Sequence, residues 1–208
     1  MAEIKKVGVL GCGLMGSGIA QVAAAAGYTT VVRNVSDAVM AKGRAGIAKS
    51  LDKFVEKGKL SAADRDAALG RLSYVTDVTA LKDCDIVIEA VTEDLELKND
   101  LWKQLDALCP AHTLFAGNTS SLTIAAMASA TARADRFVGL HFFNPVPLMQ
   151  LVEVVRTVTT STATFDRALA FGKSLGKEAV AAKDNSGFIV NLLLVPYLLD
   201  AIRALEHG

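Results

Sequence analysis

Hydrophobic and polar positions change their spacing along this chain in a way that separates strands from helices. Lys6-Val-Gly-Val-Leu10 is a short β-branched run of the buried-strand kind. Met15 to Ala26 is Ala-rich and helical in habit, Gly27 stands where a C-cap is expected, and Tyr28 to Arg33 reads as a second strand. Strand, turn, helix, strand makes a parallel βαβ unit. Ser36 to Lys57 predicts a long helix, and Ser61-Ala-Ala-Asp64 opens another that ends at Gly70. The two read as a helical hairpin, 36–70, inserted into the α/β pattern. The alternation then resumes, with strands at 85–89, 113–116, 137–142, 151–155 and 178–180 and helices at 95–108, 124–129 and 165–175. This rhythm predicts an α/β fold with a doubly wound sheet that binds ligands at its carboxyl edge.

Lys183-Asp-Asn-Ser-Gly187 interrupts the pattern and reads as a junction between domains 1–186 and 187–208. Beyond it Phe188 to Leu205 is apolar almost all round, a helix that calls for burial on several sides. Nothing in the sequence after it does the burying, so an exposed apolar surface that invites a partner is expected.

Composition narrows the function. With 208 residues, 51% of them apolar, the chain can bury a core of one large domain with an appended element. Its 22 Lys and Arg balance 22 Asp and Glu, so the excess cationic charge of a nucleic-acid binder is missing. Cys12, Cys84 and Cys109 are far apart and form no CxxC pair, and there are three His. Neither a metal site nor a disulfide framework is expected, and a reducing compartment fits. The N-terminal apolar run breaks at Gly11, and 188–199 is too short to span a bilayer and contains Asn191 and Pro196. The expectation is a cytoplasmic protein with no membrane partner.

Gly11-Cys-Gly13-Leu-Met-Gly16 carries the first chemistry. A GxGxxG alone is weak, but this one follows a strand and opens a helix, as in a Rossmann-type βαβ unit. Gly11 permits the turn, Gly13 lets backbone approach a pyrophosphate, and Gly16 allows close helix packing. The helix start at Leu14, Met15 and Gly16 offers amides and a positive dipole end to phosphates. The second strand of such a unit ends on an acidic residue that binds the adenosine ribose, whereas Arg33-Asn34 stands here. Asn34 can bond a ribose hydroxyl without repelling a 2′-phosphate, and Arg33 either pairs with that phosphate or points to solvent. NAD is therefore the default cofactor and NADP the alternative.

His141 closes the strand Val138-Gly-Leu-His and precedes the stiff Phe-Phe-Asn-Pro-Val-Pro turn. Glu153 lies among apolar residues in the next strand, where a carboxylate is costly unless paired. A His–Glu pair suits acid–base work, while a core histidine and an edge glutamate is the plainer reading. Asn118-Thr-Ser120-Ser121 follows a strand end, as ligand contacts or as a helix N-cap.

Together these segments resemble the L-3-hydroxyacyl-CoA dehydrogenase family, including 3-hydroxybutyryl-CoA dehydrogenases. GCGLMGSGIAQ, DIVIEAVTEDLELK, GNTSSLTI, GLHFFNPVPLMQLVEVV and GFIVNLLLVPYLLDAI match in order and spacing. The resemblance implies reversible hydride transfer between an L-3-hydroxyacyl-CoA and a nicotinamide. It implies His141 as the base, Glu153 as its orienting partner, and Ser120 and Asn191 on the substrate oxygen. It further implies cofactor contacts at Glu93, Lys98 and Asn118. Ser50 and Lys57, seven residues apart on one helix face, would meet the CoA moiety. Cationic residues Lys42, Arg44, Lys49, Lys53 and Lys59 surround them, and the plainer reading is that most form a solvated face.

The chain departs from the family at Asn34, where Asp is usual, and at Leu192, where Arg is usual. The family also continues into an all-α substrate and dimer domain, of which 187–208 resembles the first helix. A truncated chain with weak turnover is expected, unless a homo-oligomer formed through 188–205 rebuilds the substrate wall. The alternative is a non-catalytic dinucleotide-binding module or a λ-crystallin-like structural relative.

Overall fold

The computed structural model describes residues 3–208. Eight strands form one sheet: β1 (Lys6–Leu10), β2 (Thr29–Arg33), β3 (Leu72–Val75), β4 (Ile86–Glu89), β5 (Leu114–Gly117), β6 (Phe137–Phe142), β7 (Leu151–Arg156) and β8 (Glu178–Lys183). Seven α-helices accompany them: α1 (Leu14–Ala25), α2 (Asp37–Glu56), α3 (Ala62–Gly70), α4 (Leu95–Leu108), α5 (Ile124–Ala128), α6 (Thr162–Ser174) and α7 (Val190–His207). The strand order is β3-β2-β1-β4-β5-β6-β7-β8. Neighbours from β3 to β6 run parallel, β7 is antiparallel to β6, and β8 is parallel to β7.

The period-2 alternation of side chains explains both faces of the sheet. Val7, Val9, Ile86, Ile88, Leu114 and Ala116 join one buried cluster, with Ile19, Ile47 and Phe171 from α1, α2 and α6. Leu10, Val87 and Phe115 join the other, with Trp102 and Leu105 from α4 and Met127 from α5. Trp102 fixes that second layer, its ring centroid 4.9 Å from Phe115 and 4.8 Å from Phe137.

Local signals set the helix ends. Ser36 accepts from the Val39 amide to start α2, and Ser61 accepts from the Asp64 amide to start α3. Gly27, at φ 102°, turns the chain out of α1, and the amide of Tyr28 reaches back to the Ala23 carbonyl.

One expectation changes. The helical pair is not an insertion: it is the crossover from β2 to β3, an edge strand hidden in the sequence because none of its four residues is buried. The apolar helix at 188–205 stands exposed, as α7 contains no buried residue.

Candidate active site

The sheet reverses its winding at β1. One crossover leads out to β2 and β3, the other to β4, β5 and β6, so a crevice opens above the carboxyl ends of β1 and β4. Gly11 ends β1 with φ 97°, where an added Cβ would strike the Ala90 carbonyl after β4. A Cβ at Gly16 would strike the Gly11 carbonyl, whereas a Cβ at Gly13 would meet nothing within 4 Å. The first and third glycines close the turn, and the middle one leaves an open face. Gly13 is the N-cap of α1, without a side-chain cap and with no acidic residue in the first turn. The amides of Leu14, Met15 and Gly16 stand at this uncapped positive end, which suits a pyrophosphate.

At the end of β2, Arg33 Nε donates to the Thr76 carbonyl at 3.0 Å, and its terminal nitrogens bond nothing else among the described residues. Asn34 Oδ1 accepts from the Ser36 amide at 3.0 Å and so closes the turn into α2.

A charged group lies beneath the crevice. Lys98 Nζ donates to Glu89 Oε1 at 2.7 Å and reaches Glu93 Oε2 at 3.2 Å. Both Lys98 and Glu89 are fully buried, and burial pushes the Glu89 carboxyl above its ordinary pKa against the pull of the Lys98 ammonium. Lys98 has no exposed surface here and meets the crevice through its contact with Glu93. Glu93 is the exposed member. It accepts from Thr119 Oγ1 at 3.0 Å and from the Ser120 amide at 3.3 Å, joining the β4 and β5 loops. Glu89 had passed in the sequence as an ordinary strand end; a carboxylate closing an otherwise apolar strand was the available signal.

Asn118 follows β5, and its Oδ1 accepts from the buried Phe142 amide at 3.0 Å. That bond ties β5 to the end of β6, where His141 sits directly opposite Glu153 in the antiparallel register. His141 Nδ1 lies 2.6 Å from Glu153 Oε2, both side chains being nearly inaccessible. The ionised carboxylate can only accept, so Nδ1 carries the proton and Nε2 is left for chemistry. Ser120 and Asn191 also meet, with Asn191 Nδ2 donating to the Ser120 carbonyl at 3.4 Å.

A cavity of about 450 Å³ lies between α1, α2 and the 144–148 loop that follows β6. Ser50 and Lys57 line it together, with Lys49, Lys53 and Lys59 adding charge and Phe54 adding an apolar wall. The loop wall, Asn144 to Leu148, was legible in the sequence only as a stiff turn. Among the described residues no group of three or more His, Cys, Asp and Glu can hold a metal ion, and no helix is long and apolar enough to cross a membrane.

The family profile described as "3-hydroxyacyl-CoA dehydrogenase, NAD binding domain" matches residues 6–185. The chain belongs to the 3-hydroxyacyl-CoA dehydrogenase family. It is similar to the human mitochondrial hydroxyacyl-coenzyme A dehydrogenase, 50% identical over 211 residues, covering 99% of this chain and 67% of that protein. A 3-hydroxybutyryl-CoA dehydrogenase of Mycobacterium tuberculosis is 47% identical over 99% of this chain and 72% of its own length. The crystal structure of (S)-3-hydroxybutyryl-CoA dehydrogenase from Ralstonia eutropha superposes with a TM-score of 0.96 at 45% identity, over 99% of this chain and 73% of that one. The match makes residues 6–185 an NAD-binding domain, and the chain is an enzyme of the NAD-dependent oxidoreductase kind.

Proposed function

We propose that this 3-hydroxyacyl-CoA dehydrogenase chain interconverts an L-3-hydroxyacyl-CoA and the 3-ketoacyl-CoA. The observation that carries the reading is the buried 2.6 Å His141–Glu153 pair at the same sheet edge as the glycine cradle. The cradle at Gly11, Gly13 and Gly16 holds the pyrophosphate, and Glu93 and Asn118 shape the crevice beside it. A nicotinamide held in this crevice would supply the acceptor, or in reverse the donor, for hydride at the substrate C3.

His141 Nε2 takes the hydroxyl proton in oxidation and gives it back in reduction. Glu153 holds the imidazole in one tautomer and stabilises the imidazolium that forms. Ser120 and Asn191 hold the substrate oxygen near that nitrogen. Ser50 and Lys57 receive the CoA end in the neighbouring cavity, where Lys49, Lys53 and Lys59 complement its phosphates.

Reduction of acetoacetyl-CoA, followed at the nicotinamide absorbance, tests this reading with NADH and NADPH in parallel. Both are expected to serve, because the end of β2 offers Arg33 and Asn34 rather than a carboxylate that repels a 2′-phosphate. Asn34→Asp is expected to abolish use of NADPH and keep NADH. Loss of both cofactors alike would refute this specificity role.

The exposed α7 apolar residues, Leu193 at 68% and Leu205 at 83% among them, call for a covering surface. A second copy of the chain supplies it in this reading. Sedimentation is expected to show a dimer, and a monodisperse monomer at assay concentration would contradict it.

A further inference from the structure

The two oxygens of Glu153 serve different elements. Oε2 meets His141 Nδ1, while Oε1 accepts from the amides of Ile189 at 2.9 Å and Val190 at 3.0 Å. Those amides open α7, and Ile189 provides no side-chain cap of its own. A buried strand carboxylate thus does the capping from another part of the fold, with its charge at the positive end of the helix.

Phe188 stands between these two bonds. It immediately precedes Ile189, it is 3% exposed, and its ring centroid lies 5.5 Å from that of the His141 imidazole. Phe143 flanks the same imidazole at 4.5 Å. Phe188 has φ 50°, and among the described residues it is the one non-glycine in the left-handed region. That conformation is strained for a bulky aromatic side chain. Glycine would adopt it freely, so what the position gains from phenylalanine must come from the ring.

We propose that Phe188 is a positioning residue for His141, and that the turn Gly187–Val190 orients the imidazole and seats α7 as one unit. The proposal rests on the reading of His141 as the acid–base group. A single bond at Nδ1 leaves the imidazole free to swing about it, and the two phenyl rings restrict that swing. The turn also delivers the Ile189 and Val190 amides to Oε1, so the carboxylate cannot rotate away from Nδ1. Asn191 follows at once, and its amide reaches the Ser120 carbonyl. One four-residue turn therefore sets both the base and the residue that meets the substrate oxygen.

The test uses Phe188→Gly, Phe188→Leu and Phe188→Tyr in the full 208-residue chain. The readouts are the ¹⁵N signals of the His141 ring, NADH binding, and kcat and KM for acetoacetyl-CoA. Phe188→Gly relieves the backbone but removes the ring. It is expected to bind NADH normally, to broaden the His141 ring signals as the imidazole samples more than one orientation, and to lose about 10- to 100-fold in kcat with KM little changed. Phe188→Leu keeps apolar volume without a flat face and is expected to fall in the same direction, deciding the matter if the glycine variant does not fold. Phe188→Tyr restores the ring and is expected to recover most of the rate. Native ring signals, sharp as in the parent chain, and native kcat in both Gly and Leu variants would overturn the proposal. If His141→Gln keeps the native rate, it is the reading of His141 that fails; if His141→Gln is inactive while the Phe188 variants are native, only the positioning role fails.

Discussion

His141→Gln is expected to lower the rate of acetoacetyl-CoA reduction by about 10²- to 10⁴-fold, the range for removing a positioned acid–base group. Glutamine nearly matches the imidazole in size and can still donate to Glu153 Oε2, so the strand pairing His141↔Glu153 survives. It cannot shuttle a proton. Nucleotide binding is expected to stay unchanged, because the cradle at Gly11 to Gly16 lies on β1 and α1, away from β6. The separation of these two readouts matters: loss of both would indicate a damaged fold, and retention of the rate would remove His141 from the chemistry.

The largest stability effect is expected at Lys98. Lys98→Met keeps the length and apolar stem of the side chain but leaves Glu89 a fully buried carboxylate without its cation. Glu89 Oε2 already has no hydrogen-bond partner among the described residues, and the Val91 amide, 2.7 Å from Oε1, is the neutral donor left to it. Breaking a buried pair from one side costs about 3–5 kcal/mol, which for a chain of this size lowers Tm on the order of 10 °C. The pH dependence follows from the raised Glu89 pKa. A carboxyl raised in the folded state favours folding below its unfolded value, and that contribution is lost as pH climbs through the folded value. The Lys98→Met deficit should therefore be greatest near neutral pH and shrink under acid conditions, where Glu89 takes a proton. Adding Glu89→Gln should recover most of the loss. Melting curves across pH check both statements, and a deficit that stays constant with pH would show that the ion pair is not its cause.

The sequence made some of this legible and hid the rest for physical reasons. The βαβ start was readable because its strand, glycines and helix are contiguous, each imposing a local conformation. The His141–Glu153 pair was readable because an isolated carboxylate in an apolar strand demands a partner, and β6 and β7 follow one another in the chain. β3 was missed because an edge strand with one half-buried face shows no clean alternation. Lys98 stood out only through the family resemblance, and its pairing was not legible: only the docking of α4 on the sheet carries its ammonium to Glu89. The double use of Glu153 was hidden for the same reason, since Ile189 lies 36 residues away and offers only backbone. Side chains announce local chemistry, whereas amides recruited from distant helix ends carry no sequence signal.

The most direct test places this chain in excess over NADH and adds acetoacetyl-CoA, so that one turnover suffices. The account predicts loss of the reduced nicotinamide absorbance in step with formation of 3-hydroxybutyryl-CoA. NADH that stays bound by fluorescence, unconsumed in the presence of the thioester, would contradict it.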